Sequence, residues 1–133
     1  MMATRRLFVY GTLKKGGELH SSLASENVAF VGNARIKGKL FRIKGESFPG
    51  AVPTDAEEYI NGELYELSTP GETLKKIDEI EGVGEGLFRR KLVDTWFPDG
   101  KTRAWAYFYE KPLKARSRIV TGHFPVRSRR ASR

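Results

Sequence analysis

Glu81 is the residue whose position in this sequence most asks for a chemical explanation. It lies in the run I77-D-E-I-E-G-V-G-E-G86, which reads as the close of a helix broken by three glycines. At about 100° per residue, Glu81 falls about 20° round the helix from Leu74 and about 40° from Ile77. Leu74, Ile77 and Ile80 form the apolar face of that helix, so the carboxylate shares it. Removing a carboxylate from water without a partner is costly and raises its pKa. The negative end of the helix dipole acts in the same direction. A carboxyl group held in this way takes up and returns protons near neutrality, as a general base must. Spacing alone leaves two other outcomes open: a salt bridge to Arg89 or Arg90, or a helix that unwinds before residue 81. Asp78 flanks the apolar stripe, Glu79 faces outward, and Glu85 belongs to the glycine loop as a solvated acid.

The second constellation is V9-Y-G-T-L-K-K-G16, a tight turn at the end of the first strand. Gly11 permits unusual backbone angles and close approach by a ligand. Successive N–H groups at such a turn can form an anion-binding nest, although a plain strand-ending turn has the same residues. The phosphate-loop pattern G-x-x-x-x-G-K-[ST] and the dinucleotide pattern G-x-G-x-x-G are both absent. His20 follows in L19-H-S21, as a packing or surface histidine that could border a cavity, and Phe48-Pro49 could wall one.

The elements that must position these groups are mostly strands. R6-L-F-V-Y10 reads as a strand, E18–S25 as a short helix, and V28–V31 and A34–I43 as two strands joined by a G32-N33 turn. S47–T54 reads as a Pro/Gly loop with a short edge strand at its centre, and Y59–L67 as a strand. T69-P-G-E72 is a capping box, with Thr69 as N-cap and Pro70 at the first helical position. L87–F97 and T102–Y109 are long strands joined at P98-D-G100, with Trp96 and Trp105 as cross-strand packing and Phe41 in the core. Strands with short connections and one clear helix predict an α+β domain whose sheet curls into a small, mixed, mostly antiparallel β-barrel with a few flanking helices.

Taken together, Y10-G-T-L13, F48-P-G-A51, G62-E-L-Y65 and D78-E-I-E-G82 followed by L87-F-R-R90 resemble the gamma-glutamylcyclotransferase superfamily. The chain looks closest to its gamma-glutamylamine cyclotransferase, AIG2-like branch, over residues 6–110. The resemblance implies a compact β-barrel that releases 5-oxoproline from a γ-glutamyl group, with the amine of the substrate attacking its own γ-carbonyl. It implies Glu81 as the catalytic acid/base and Tyr10, Gly11, Thr12 and Leu13 as the substrate-holding loop. It matches Tyr109, in Y107-F-Y109, to a tyrosine late in the family's sheet. No metal, nucleotide or other cofactor is required, and the partner is a small γ-glutamyl amine, amino acid or peptide. A non-catalytic binding module of the same fold is the alternative.

Composition narrows the classes further. The 133 residues are 39% hydrophobic and 30% charged, the range of one ordinary globular domain. There is no cysteine and there are two histidines, which removes thiol chemistry and supplies a histidine metal site poorly. No apolar run reaches the roughly 18 residues of a membrane span, and a cytoplasmic monomer is the default expectation. Residues 1–110 carry 16 basic and 16 acidic side chains; residues 111–133 carry 8 basic and none acidic, so the net charge of +8 resides there. We therefore expect a catalytic domain over 1–110 and a basic, partly flexible segment over 111–133. That segment offers contact with nucleic acid, but it has no nucleic-acid motif, and a solvated tail is the preferred reading.

Overall fold

The computed structural model describes residues 4–11, 13–15, 17, 20–24, 27–46, 48–113 and 117–125. The chain runs through β1 (Arg6–Val9), α1 (His20–Ala24), β2 (Val28–Lys37), β3 (Lys39–Arg42), β4 (Pro49–Val52), β5 (Tyr59–Leu67) and α2 (Pro70–Ile80). A 3-10 turn (Val83–Glu85), β6 (Phe88–Phe97) and β7 (Gly100–Tyr109) complete it. Strands β1, β5, β2, β6 and β7 close into a barrel in that order, while β3 and β4 form a two-stranded ribbon. All neighbouring pairs in the barrel are antiparallel except β1 with β7, which meet in parallel at Leu7 and Trp105. This is the expected α+β architecture with a mixed barrel.

Strand alternation divides the apolar side chains between two layers. Phe8, Ile36, Ile60, Leu64 and Phe108 join the cluster that fills the barrel. Leu7, Val9, Tyr65, Leu67 and Tyr107 point the other way and meet Leu74 and Ile77 of α2 and Leu23 of α1. Each fully buried Leu or Ile stabilises the fold by roughly 1.5–3 kcal/mol, so the outer layer anchors α2 against β1 and β7.

Three local expectations need correction. No turn exists at Gly32-Asn33: β2 is continuous, with a register shift between Phe30 and Gly32 against β5. A glycine inside a strand often marks such an irregularity, and the long β5 partner holds the ladder together across it. The break comes at Gly38, where β2 leaves β5 and β3 turns to pair with β4. At the start of α2, Thr69 occupies the N-cap position and Pro70 the first turn, but the Thr69 side chain makes no cap hydrogen bond. Its carbonyl instead accepts the Thr73 N–H at 3.0 Å. Phe41 is half-buried beneath Arg118 rather than in the core. The hairpin at Pro98-Asp99 forms as expected, pairing Phe97 with Gly100.

Residues 117–125 run back across the barrel. The Ile119 N–H donates to Leu40 O at 2.7 Å, and the Asn61 N–H donates to Gly122 O at 2.7 Å. Arg118 pairs with Glu58, and Lys14 Nζ donates to Phe124 O at 2.8 Å. No helix among the described residues is long and apolar enough to cross a membrane.

Candidate active site

α2 ends at Ile80, and Glu81 is its C-cap, with φ −84° and ψ 0°. The Glu81 N–H still donates to Ile77 O at 2.8 Å, so the backbone keeps its helical course up to this residue. Gly82 then takes a left-handed φ of 67° and turns the chain away. A side chain there would also meet Leu87 Cβ at 3.2 Å. Glycine is therefore what lets the helix stop one residue after the acid while the acid keeps facing the core.

The alternative left open by spacing, a salt bridge from Glu81 to Arg89 or Arg90, does not form. Arg90 grips Asp78 instead, Nε to Oδ1 at 2.9 Å and Nη2 to Oδ2 at 3.1 Å, while Arg89 lies 4.0 Å from Glu110. Tyr107 donates its hydroxyl to Asp78 Oδ1 at 2.6 Å, and the Arg90 guanidinium lies over the Trp105 ring. These contacts clamp the last turns of α2 onto β6 and β7. Among the described residues Glu81 forms no ion pair, and burial pushes its carboxyl up to about 7. It is a largely buried acid without a compensating cation.

The turn after β1 comes to the same place. Lys14 N–H donates to Gly11 O at 3.0 Å and closes it. The Tyr10 hydroxyl is buried and donates to Tyr107 O at 2.6 Å, so it ties the turn to β7. Burial first, then the nearby Glu81 carboxylate, hold the Tyr10 phenol well above its ordinary value, with the backbone hydrogen bond from Ala51 acting the other way. The Tyr107 phenol is likewise raised, first by burial and then by its hydrogen bond to Asp78. His20 Nδ1 is 2.9 Å from Leu13 O, which pins the far end of the turn. A Cβ on Gly11 would lie 2.8 Å from Pro49 Cδ, so only glycine lets this backbone pack against β4.

Glu81, Tyr10, Gly11 and Leu13 line one cleft, together with Phe48, Pro49, Phe88 and Tyr107. Its free volume is about 30 Å³, room for a single water, so a larger ligand enters by widening it. The walls are largely apolar, and among the described residues no Lys, Arg or His lines them. Thr12 lies outside the described residues. Tyr109 is not on the cleft wall; its ring packs against Phe88, with centroids 5.3 Å apart, and so stands behind it. Tyr107, two residues earlier, is the tyrosine that reaches the cleft. Asp78 and Arg90 were visible in the sequence as neighbours of Glu81, but which acid the arginine would choose was not. Among the described residues, no group of three or more His, Asp or Glu side chains could hold a metal ion.

Comparison with known proteins places the chain in a family. The family model described as gamma-glutamyl cyclotransferase, AIG2-like, matches residues 7–125, and so extends into the segment that crosses the barrel. The gamma-L-glutamyl-butirosin B gamma-glutamyl cyclotransferase of Niallia circulans is 36% identical over 110 residues, covering 79% of this chain and 67% of that one. A gamma-glutamylcyclotransferase family protein of Shigella flexneri is 32% identical over 118 residues, covering 88% and 93%. The crystal structure of an AIG2-like protein from Mus musculus shares the fold at 17% identity, with a TM-score of 0.78 over 96% of each chain. With the family model covering most of its length and relatives of this similarity, the chain belongs to the gamma-glutamyl cyclotransferase, AIG2-like family and is an enzyme of the gamma-glutamylcyclotransferase type.

Proposed function

We propose that this protein releases 5-oxoproline from a γ-glutamyl amine, amino acid or peptide, with Glu81 as the general acid/base. The observation that carries the reading is a carboxyl with no ion pair among the described residues, raised to about 7 by burial, on the wall of the same cleft as Tyr10, Gly11 and Leu13. The α-amine of a γ-glutamyl substrate is mostly an ammonium at neutral pH and is then not a nucleophile. The Glu81 carboxylate takes one proton from it. The amine nitrogen attacks the γ-carbonyl carbon of its own chain and closes a five-membered lactam. As the old C–N bond breaks, Glu81 returns this proton to the departing nitrogen, and the second proton that the attacking nitrogen sheds on becoming the lactam N–H follows through the same carboxylate, so the amine leaves as an ammonium. Proton uptake and release by one group is efficient when its pKa lies near the working pH.

The rest of the cleft supports ring closure by holding the substrate bent. Intramolecular attack in a fixed geometry is worth several kcal/mol of barrier. The backbone of residues 10–13 is the group offered to the substrate carboxylate or to the oxyanion that develops on the γ-carbonyl. The Tyr10 hydroxyl is not offered, because Tyr107 O already accepts it. Phe48, Pro49 and Phe88 exclude water, which would otherwise compete with the amine.

The deciding experiment measures 5-oxoproline released from a panel of γ-glutamyl compounds by the wild type and by Glu81→Gln. Turnover in the variant should fall by at least about 100-fold with the fold unchanged. Ordinary turnover in Glu81→Gln would reject this carboxyl as the base.

A further inference from the structure

A second cleft lies on the other side of the same turn, away from Glu81. Lys14, Asn33, Asn61, Glu63 and His123 line it, and its free volume is about 320 Å³. That is roughly the lower end of the range that accommodates small ligands. Ala34 and Gly62, facing each other across β2 and β5, add little bulk to its lining. One wall is formed by β2 and β5; the other is the returning segment with His123.

The charged groups in this cleft are arranged unusually. Lys14 is only 4% exposed, yet among the described residues its ammonium has a single hydrogen bond, to Phe124 O. An ammonium carries three donors, so two remain for another acceptor. Burial lowers its pKa and nearby Glu63 partly restores it. Glu63 uses one oxygen, Oε1, for both the Lys15 N–H at 2.9 Å and the Tyr65 hydroxyl at 3.0 Å. Among the described residues its Oε2 has no donor. His123 is held below its ordinary value, first by burial and then by Lys14, so it is neutral at pH 7. Asn33 and Asn61 each add an amide that can donate or accept.

We propose that this cleft is a binding site for a free α-amino acid, with the ligand carboxylate on Lys14 and an asparagine amide and the ligand ammonium on Glu63. A fixed cation and a fixed acid facing one polar space match both ends of a zwitterion. A simple anion satisfies only Lys14 and is repelled by Glu63. The site is independent of the reaction at Glu81 and shares no lining residue with that cleft.

The test is an amide NMR titration of the full chain with glycine, and in parallel with acetate and methylammonium, each of which carries one end of the zwitterion. Glycine should give saturable shifts at Asn61, Glu63 and His123, at least tenfold tighter than either half-ligand. Lys14→Met should weaken glycine at least tenfold, the scale of one lost charged hydrogen bond. Asn61→Asp, at an exposed side chain, places a second acid beside the carboxylate and should weaken glycine similarly even if Lys14→Met fails to fold. Glu81→Gln should bind glycine like the wild type. Shifts confined to Gly11 and Phe88, acetate binding as well as glycine, or full glycine affinity in Asn61→Asp would each overturn the assignment.

Discussion

Asp78 and Glu81 stand one turn apart on α2 and meet opposite surroundings. Asp78 is gripped by two nitrogens of Arg90 and accepts the Tyr107 hydroxyl. Glu81 faces apolar side chains and a backbone turn, with no cation on the cleft wall among the described residues. The first acid is structural and holds the helix end in place. The second has its pKa raised by burial and is the base in the proposed mechanism. The difference lies in which β6 residue each acid can reach: Arg90 lies with Asp78, and Phe88 lines the cleft with Glu81. A site of this kind needs both, because an unpaired buried carboxyl destabilises the fold that contains it and a neighbouring clamp offsets that cost.

Substitutions at these two positions should separate the roles. Glu81→Asp keeps the carboxyl but draws it back by one methylene. Displacement of that size should lower kcat/KM by about 100-fold, measured as 5-oxoproline release. If the shorter acid worked as well as the native one, the placement of the base would be wrong. In the wild type, kcat/KM should rise with pH through a midpoint near 7 as Glu81 deprotonates, and this limb should vanish in Glu81→Gln.

The same group should leave a mark on stability. Its value in the fold, about 7, lies above the 4.5 of the unstrained side chain. The fold therefore favours the protonated form; the associated stability is complete below about pH 4.5 and is lost as pH rises through 7. Glu81→Gln should match the wild type in urea denaturation near pH 4.5 and exceed it by about 3 kcal/mol at pH 8. Equal stability of the two proteins at pH 8 would show that the carboxyl is solvated after all.

Asp78→Asn addresses the clamp. It leaves Arg90 partly buried without its acid and should cost about 1–2 kcal/mol of stability, discounted because both side chains are about a quarter exposed. Activity should fall about tenfold, with the pH midpoint still near 7, because Glu81 is displaced rather than replaced. A variant with unchanged activity would break the link between the clamp and the base. The smallest effect belongs to Tyr107→Phe, which removes one hydrogen bond to Asp78 and should cost about 1 kcal/mol. Its backbone carbonyl still receives the Tyr10 hydroxyl, so the turn after β1 should stay in place.

Much of this site could be read before any coordinates. The helical period alone aimed Glu81 at the core, and the three glycines located the helix end. The turn at Tyr10–Leu13 followed from a strand stopping at Gly11. The choice of Asp78 by Arg90 could not be read, since both acids lie within reach of that arginine in one dimension. Tyr107 was equally hidden: it and Tyr109 share a strand face, and only the packing of Phe88 puts one on the cleft and the other behind it. The Gly32-Asn33 signal was misleading because turn chemistry is local, whereas β2 is kept straight by nine residues of β5.

Local sequence thus determined the helix, the direction of its last acid and the turns that end its strands, because these depend on neighbours within a few residues. The closure of the barrel through Leu7 and Trp105 was decided only in three dimensions. So was the return of residues 117–125 over β5, which brings His123 beside Lys14. Such contacts join residues about a hundred positions apart, and burial, not spacing, selects among the partners available. For Glu81 the two levels meet: periodicity turned the carboxyl inward, and tertiary packing left it there with no cation beside it among the described residues.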